Sequence, residues 1–244
     1  MQCTIFPCNV SLNNVIVACN NYKHTRSPCS KLLNQLRIEV HILRETEMAN
    51  KYMVHFSGKT IEATVTDKAS VVEEWVREAR SLHVGQHDMI VGLDCEWKPN
   101  TISSMNNRTA TLRLCIGTRR RIIQLCYIDY IPQSIKFKSF LSDSNFTFVG
   151  VEVGDDVSKL RNEYGLICTS TADIQALAMS RRPLQFYRMP GLKSLAYLLV
   201  GLSMENPMHV CRSNWEARVL DEKQIEYACI DTCACYKIGH RLLK

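Results

Sequence analysis

Apolar residues in the first half of the chain recur with the two-residue period of a β-strand. Ile61, Ala63 and Val65 alternate with polar residues, and the Ser57-Gly58 pair before them predicts a hairpin turn. The predicted strands are Tyr52–Phe56, Thr60–Thr66, Met89–Trp97, Thr109–Cys115, Arg121–Ile128 and Phe146–Val153.

A helical period of apolar residues dominates the second half of the chain. One helix is predicted earlier, at Asp67–His83, where Val72, Trp75 and Val76 lie on one stripe and Asp67 is a candidate N-cap. Strands followed by a helix-rich C-terminal half favour an α/β domain, with helices flanking a mixed sheet of five to six strands. The other predicted helices are Asp156–Tyr164, Asp173–Ser180, Leu192–Val200 and Glu222–Leu243.

Composition narrows the class of protein. Of the 244 residues, 46% are hydrophobic and 22% are charged, which is enough apolar material for a sizeable core. The longest apolar run, Leu195–Leu202, is too short to cross a bilayer, so we expect no membrane association. A formal net charge of +6 permits a nucleic-acid partner but does not require one.

Residues 1–47 differ from the rest, since their first acidic residue is Glu39. They are interpreted as an N-terminal extension. A disordered tail, a targeting segment and an imperfect gene start all fit this composition, and residues 48–244 are predicted to form one domain. The 12 cysteines include no Cys-x-x-Cys pair, and no basic residue precedes the apolar patch 14–19 as in a secretory leader. We therefore expect an intracellular protein with reduced thiols and no structural zinc.

Two carboxylates share one face of a predicted strand. Alternation along Met89–Trp97 places Asp94 and Glu96 together, opposite the apolar side chains. Neighbouring carboxylates repel one another unless water or a cation separates them, and Mg²⁺ or Mn²⁺ prefers such hard oxygen ligands. A solvated edge strand is the simpler explanation of this pair taken alone, since Glu45 and Glu47 form another such pair by chance.

Two further acidic positions come later in the chain. Asp155 and Asp156 follow a predicted strand, where one of them can cap the next helix or act as a ligand at the strand's carboxyl end. Tyr227 and Asp231 are four residues apart on a predicted helix, so both side chains lie on one helical face. An ordinary surface pair is the alternative interpretation of these two.

Taken in series, these motifs resemble those of the DEDDy branch of 3'-5' exonucleases, which have the ribonuclease H-like fold. Within that branch the chain is most similar to the Werner syndrome-like exonucleases, particularly their small stand-alone plant forms. The resemblance covers about residues 50–244. The matching motifs are Asp94-Cys95-Glu96-Trp97, Asp156-Val157-Ser158-Lys159-Leu160 and Tyr227 to Asp231, supported by Gly191–Ala196 and Ser213–Arg218.

The resemblance implies a ribonuclease H-like fold and hydrolysis of phosphodiester bonds with two divalent cations, Mg²⁺ or Mn²⁺. It implies that Asp94 bridges both ions, that Glu96 and Asp231 complete the first and that Asp156 holds the second. Tyr227 would orient the attacking water. The motif's spacing to Lys159-Leu160 selects Asp156 rather than Asp155.

The implied substrate is the 3' end of DNA. RNA is the first alternative, because ribonuclease D relatives share these motifs, and a non-catalytic nucleic-acid-binding module on the same fold is the second. By the same resemblance we expect a RecQ-type helicase as a partner in trans, and we prefer the nucleus to the cytoplasm as the cellular location.

Substrate contacts are predicted at four further positions, and the sequence departs from the family at two. The candidate nucleic-acid contacts are Trp97, Lys193, Ser213 and Trp215, with core packing as the alternative for Trp97. Arg119-Arg120-Arg121 is a basic run that could follow a phosphate backbone or form an exposed turn. Glu152 stands where the family usually has glycine, and Met204–Arg212 replaces a lysine-rich stretch.

Overall fold

The computed structural model describes residues 50–81, 85, 88–99, 107–128, 135–183, 185–186, 188–205 and 207–244. The predicted extension at residues 1–47 lies outside the described residues. The strands are β1 Asn50–Phe56, β2 Lys59–Thr66, β3 Met89–Trp97, β4 Thr109–Ile116, β5 Arg119–Gln124, β6 Phe146–Gly150 and β7 Thr171–Asp173. The helices are α1 Ala69–Ser81, α2 Ile135–Leu141, α3 Val153–Tyr164, α4 Ile174–Arg181, α5 Leu192–Val200, α6 Met208–Cys211 and α7 Glu222–Leu243, with one 3-10 turn at Leu125–Tyr127.

In the described part of the chain, seven strands form one mixed sheet in the order β1-β2-β5-β4-β3-β6-β7. The pairs β1/β2, β5/β4 and β4/β3 are antiparallel, whereas β2/β5, β3/β6 and β6/β7 are parallel. The α/β class and the flanking helices agree with the sequence-based prediction. The predicted number of five to six strands is wrong, because β7 has only three residues and shows no alternation long enough to recognise.

The two faces of the sheet are covered by different helices. On one face, α1, α2 and α3 pack aromatic and aliphatic side chains onto β3, β4 and β6, including Trp75, Phe140 and Leu160. On the other face, α7 packs with α4 and α5 against the same central strands. None of the helices within the described ranges combines the length and the apolar character needed to cross a bilayer.

Strand β3 and helix α7 are in direct backbone contact. Gly92 has no side chain, and a β-carbon there would lie 2.4 Å from the backbone oxygen of Thr232 and 3.0 Å from the backbone nitrogen of Tyr236. Because Gly92 shares its strand face with Asp94 and Glu96, this close approach brings α7 beside both carboxylates.

Candidate active site

Asp94 and Glu96 project from the central strand β3 toward the side covered by α7. Both are only partly exposed, with side-chain exposures of 27% and 15%. The predicted alternation of this strand is therefore correct, because Val91, Leu93 and Cys95 are buried in the core on the opposite face of the sheet. Since β3 lies between β4 and β6, the alternative of a solvated edge strand is wrong.

Arg113 lies between these two carboxylates. It sits on β4 directly opposite Asp94 in the antiparallel register. Its Nη2 atom is 2.5 Å from Asp94 Oδ2 and 2.7 Å from Glu96 Oε1. Arg113 is only 1% exposed, and its guanidinium also lies over the rings of Trp215 and Tyr227, 5.0 and 5.5 Å from their centroids. Sequence reasoning missed this residue, although a single charged residue amid the buried run of β4 was a visible signal.

Asp156 comes from the first turns of α3, shortly after β6 ends at Gly150. It is buried, whereas its neighbour Asp155 is exposed. The pKa of Asp156 is raised by burial and by the charge of Asp94, and the backbone of Cys95 offsets part of this shift through a hydrogen bond. Asp156 thus lies beside the β3 carboxylates, and it is the member of the pair that the motif spacing selects.

Asp231 and Tyr227 occupy successive turns of α7. The helix begins at a capping box in which the Asp221 side chain accepts a hydrogen bond from the Gln224 backbone and the Gln224 side chain accepts one from the Asp221 backbone. Asp231 is buried, and its Oδ1 atom has no hydrogen-bond partner among the described residues. The Tyr227 hydroxyl forms a hydrogen bond that lowers the pKa of Asp231.

The carboxylates affect one another electrostatically. Burial, followed by the charge of Asp94, raises the pKa of Asp231 to about 7. Burial also raises the pKa of Glu96 to about 7, although the Arg113 guanidinium opposes this shift. The pKa of Tyr227 is raised by burial and by Asp231, so its hydroxyl keeps its proton at neutral pH. The structure therefore gathers residues from three distant segments into one acidic cluster, and their individual roles stay predictions.

The chemistry of this cluster fits a divalent cation. Asp94, Asp156 and Asp231 supply hard oxygen donors, and one oxygen of Asp231 is buried without a partner among the described residues. Burial, followed by mutual repulsion, raises the pKa values of the Asp156 and Asp231 carboxyls. Across the described residues, however, no group of three or more His, Cys, Asp or Glu side chains is already arranged to hold an ion. Arg113 already contacts two of the four carboxylates.

The predicted substrate contacts are placed differently from the carboxylates. Trp215 is 0% exposed, packs on Tyr227 and donates its indole N–H to the Cys211 backbone oxygen, so it has no free face for a base. The prediction that it stacks on substrate is wrong. Ser213 accepts a hydrogen bond from Gln224, and Lys193 is exposed on the first turn of α5.

Trp97 and the arginine run also serve the fold. Trp97 is half-buried against the core, and the Lys159 ammonium lies 4.8 Å from its ring centroid. The arginine run belongs to β5 rather than to an exposed basic turn: Arg119 pairs with Glu78, while Arg120 is buried and donates to Cys233 Sγ at 2.7 Å. Because Arg120 is buried, it cannot be part of a phosphate-binding surface.

A cavity of about 380 Å³ opens next to Tyr227 and Asp231. Sequence reasoning did not locate it, because its walls come from β1, α7 and the segment around α6. The segment Met204–Arg212, which departs from the resembled family, forms much of its lining. The other lining residues are Phe56, Ser203, Lys223, Glu226 and Ile230.

A family model described as 3'-5' exonuclease matches residues 63–244, which is most of the chain and includes every residue of the acidic cluster. The chain belongs to the 3'-5' exonuclease family. The fold and the exonuclease class predicted from the sequence motifs are thereby confirmed.

Two curated relatives are similar to part of this exonuclease-family chain. It is 28% identical over 174 residues to the exonuclease 3'-5' domain-containing protein 2 of Drosophila melanogaster, covering 70% of this chain and 28% of the relative. It is 28% identical over 155 residues to a 3'-5' exonuclease of Arabidopsis thaliana, covering 63% of this chain and 52% of the relative. The chain thus spans about half or less of these relatives' lengths.

The solved structure of Escherichia coli RNase D is similar in fold. It superposes with a TM-score of 0.59 at 21% identity, covering 73% of this chain and 44% of that one. RNase D is described as an exoribonuclease involved in structured RNA processing. The likeness supports the ribonuclease H-like fold of this exonuclease-family chain and leaves its substrate open.

Proposed function

We propose that this chain is a metal-dependent 3'-5' exonuclease that hydrolyses phosphodiester bonds at the 3' end of DNA. The observation that carries the proposal is the cluster of Asp94, Glu96, Asp156 and Asp231, with Tyr227 beside it. Tyr227 and Asp231 also line a cavity. Family membership supports the reaction class.

Asp94, Asp156 and Asp231 are the side chains that would hold a divalent cation. Such a cation, when bound, lowers the pKa of an attacking water and stabilises the leaving oxygen. The carboxylates themselves exclude the anionic substrate until their charge is offset, so binding of substrate and binding of cation are expected to be coupled.

Tyr227 orients the attacking water by hydrogen bonding. Its pKa is raised, so at neutral pH the phenol is a hydrogen-bond donor and acceptor rather than a base. Asp231 and Cys211 both interact with its hydroxyl. Asp231 thereby contributes negative charge beside Tyr227.

The cavity beside Tyr227 is the proposed site of the terminal nucleoside. Its volume of about 380 Å³ falls in the range of small-ligand pockets. Phe56, Met204 and Ile230 supply apolar surface for a base and a sugar, and the adjacent Lys223 supplies one positive charge. This role replaces the stacking function predicted for Trp215.

Some finer features rest on the sequence resemblance alone and are proposed on that basis. They are the Werner syndrome-like specialisation, deoxyribose preference, a RecQ-type helicase acting in trans and a nuclear location. RNA as substrate is the main competing proposal, because the RNase D structure of similar fold comes from an exoribonuclease.

Digestion of matched DNA and RNA oligonucleotides tests this proposal directly. Labelled single strands and 3'-recessed duplexes are incubated with Mg²⁺, Mn²⁺ or EDTA, and products are resolved at single-nucleotide resolution. We expect stepwise shortening of DNA from the 3' end that EDTA abolishes. Faster digestion of RNA would show that RNA rather than DNA is the substrate. Binding of both polymers without products in any metal would overturn the enzymatic proposal.

Matched aspartates provide the control. Asp156→Asn removes a buried carboxylate of the cluster, whereas Asp155→Asn removes its exposed neighbour in the same helical turn. We expect loss of digestion only in Asp156→Asn. Equal activity of both variants would contradict the assignment of Asp156.

A further inference from the structure

Arg113 is a positive charge built into the acidic cluster, and neither family membership nor the motifs account for it. Directly opposite residues of an antiparallel pair point to the same face, so the register of Arg113 with Asp94 directs its side chain into the cluster. Its Nη2 atom contacts one oxygen of Asp94 and one of Glu96, at 2.5 and 2.7 Å. A single nitrogen thus bridges two carboxylates from one strand.

A divalent cation shared by Asp94 and Glu96 would have to occupy the same place. Mg²⁺ lies about 2.1 Å from the carboxylate oxygens that bind it, so its position between these two oxygens overlaps the guanidinium nitrogen. The guanidinium remains charged at any physiological pH, and two cations in contact repel strongly. The ion and Arg113 therefore exclude one another at this point.

Several contacts keep Arg113 in place. Strand β4 is interior, paired with β3 on one side and β5 on the other. The guanidinium is covered by the rings of Trp215 and Tyr227, and Trp215 is itself fully buried. Displacing the guanidinium would leave a buried charge without its carboxylates, which is a large cost in a protein interior.

The rest of the cluster retains donors for one ion. Asp156 and Asp231 have no ion pair with a basic residue in the described part of the chain, and one Asp231 oxygen is unpartnered. Asp94 contacts Arg113 through Oδ2. One guanidinium offsets one of the four carboxylate charges, which leaves enough negative charge for one divalent cation.

We propose that Arg113 takes the place of one of the two divalent cations that the resemblance implies, so that the site binds a single ion. This inference rests on the proposed function, because it concerns the same acidic cluster. In it, Arg113 supplies fixed positive charge beside Asp94 and Glu96, while Asp94, Asp156 and Asp231 hold the ion. The charge of Arg113 thus replaces the charge of one metal ion.

The number of bound ions tests the inference without measuring catalysis. Purified protein is titrated with Mn²⁺ at neutral pH, and free Mn²⁺ is measured by electron paramagnetic resonance. We expect one equivalent bound by the wild type, two by Arg113→Gln and one by Arg113→Lys, which keeps the positive charge. Arg120→Gln is the matched control, since Arg120 is also buried in the sheet but contacts Cys233 rather than the carboxylates; it should still bind one equivalent.

A wild type that binds two equivalents, or none, overturns the inference, and so does a folded Arg113→Gln that still binds one. Thermal unfolding shows whether each variant is folded, and the wild-type stoichiometry decides the matter if Arg113→Gln is not. Digestion assays keep the two proposals apart. Binding of one ion without nuclease activity contradicts the proposed function alone, whereas digestion with two bound ions contradicts only the role of Arg113.

Discussion

Gly92 of β3 and Thr232 of α7 are so close that a β-carbon on Gly92 would lie 2.4 Å from the Thr232 backbone oxygen. The neighbour is main chain in the middle of a helix and cannot rotate away. The next residue along α7 in the N-terminal direction is Asp231, and Asp94 lies two residues beyond Gly92 on the same strand face. The spacing of strand and helix therefore determines how two members of the cluster meet.

Gly92→Ala is expected to destabilise the protein by about 1 to 3 kcal/mol, as overpacking in a close-packed interior does. Thermal unfolding measures this as a lower Tm. The substitution should also lower the affinity for Mn²⁺, because α7 must move away from β3. Gly154→Ala is the control: a β-carbon at that position would have no atom within 4 Å, and alanine favours the helix in which it lies. An unchanged Tm in Gly92→Ala would contradict the described contact.

Stability of the metal-free protein should depend on pH between about 4 and 7. Folding raises the pKa of Asp231 from 3.8 to about 7 and that of Glu96 from 4.5 to about 7. Between these values the folded state binds more protons than the unfolded state, so the free energy of unfolding falls as pH rises. In thermal unfolding with EDTA, the contribution of these two carboxyls to the Tm should be greatest near pH 4 and should decrease toward pH 7.

Asp231→Asn provides the comparison for this pH dependence. An amide does not titrate, so the variant should lose less stability than the wild type over the same pH range. Added Mn²⁺ should raise the wild-type Tm more at pH 7 than at pH 5, because protons compete for the carboxylates. Parallel Tm curves for wild type and Asp231→Asn in EDTA would show that burial does not raise this pKa.

The sequence predicts the framework of this molecule well where patterns are long. Strand Met89–Trp97 and helices Leu192–Val200 and Glu222–Leu243 have the predicted bounds, because each carries several periods of apolar residues. Helix Ile135–Leu141 was not predicted, since its alternating lysines and apolar residues give no helical period over seven residues. Strand β6 ends at Gly150 rather than Val153, because the chain turns at Glu152 with a left-handed backbone.

The candidate site was less predictable from the sequence than the fold. Taken singly, Asp156 fits a cap or a ligand and Asp231 fits a surface pair better than a ligand. Only the order of the motifs, known from relatives, selects both as ligands. Arg113 was not predicted, because a basic residue is not expected among acidic ligands. The register that places it opposite Asp94 depends on the pairing of two strands and cannot be deduced from either strand alone. Trp215 was misassigned because burial depends on packing between α6, α7 and the sheet.

Tyr227→Phe should reduce kcat about 10- to 100-fold and change KM little, since a hydrogen bond to a charged group contributes about 1.5 to 3 kcal/mol. The phenol is expected to orient water in the reacting complex rather than to bind the polymer. Steady-state digestion of a labelled oligonucleotide measures both constants. Tyr236→Phe is the control on the same helix, because its hydroxyl interacts with the backbone of Gly117. An equal change in kcat and KM would contradict the water-orienting role.

Glu152→Gly should raise the stability of the protein slightly. Glu152 has φ 51° and ψ 32°, a left-handed conformation that costs a residue with a β-carbon about 1 to 2 kcal/mol. Glycine avoids this cost but loses more entropy on folding, about 0.5 to 1 kcal/mol, so the net gain is about 0.5 to 1 kcal/mol. Glu152→Ala removes the same carboxylate and keeps the β-carbon. A rise in Tm with glycine and none with alanine assigns the effect to the backbone, whereas an equal rise in both assigns it to the removal of the negative charge.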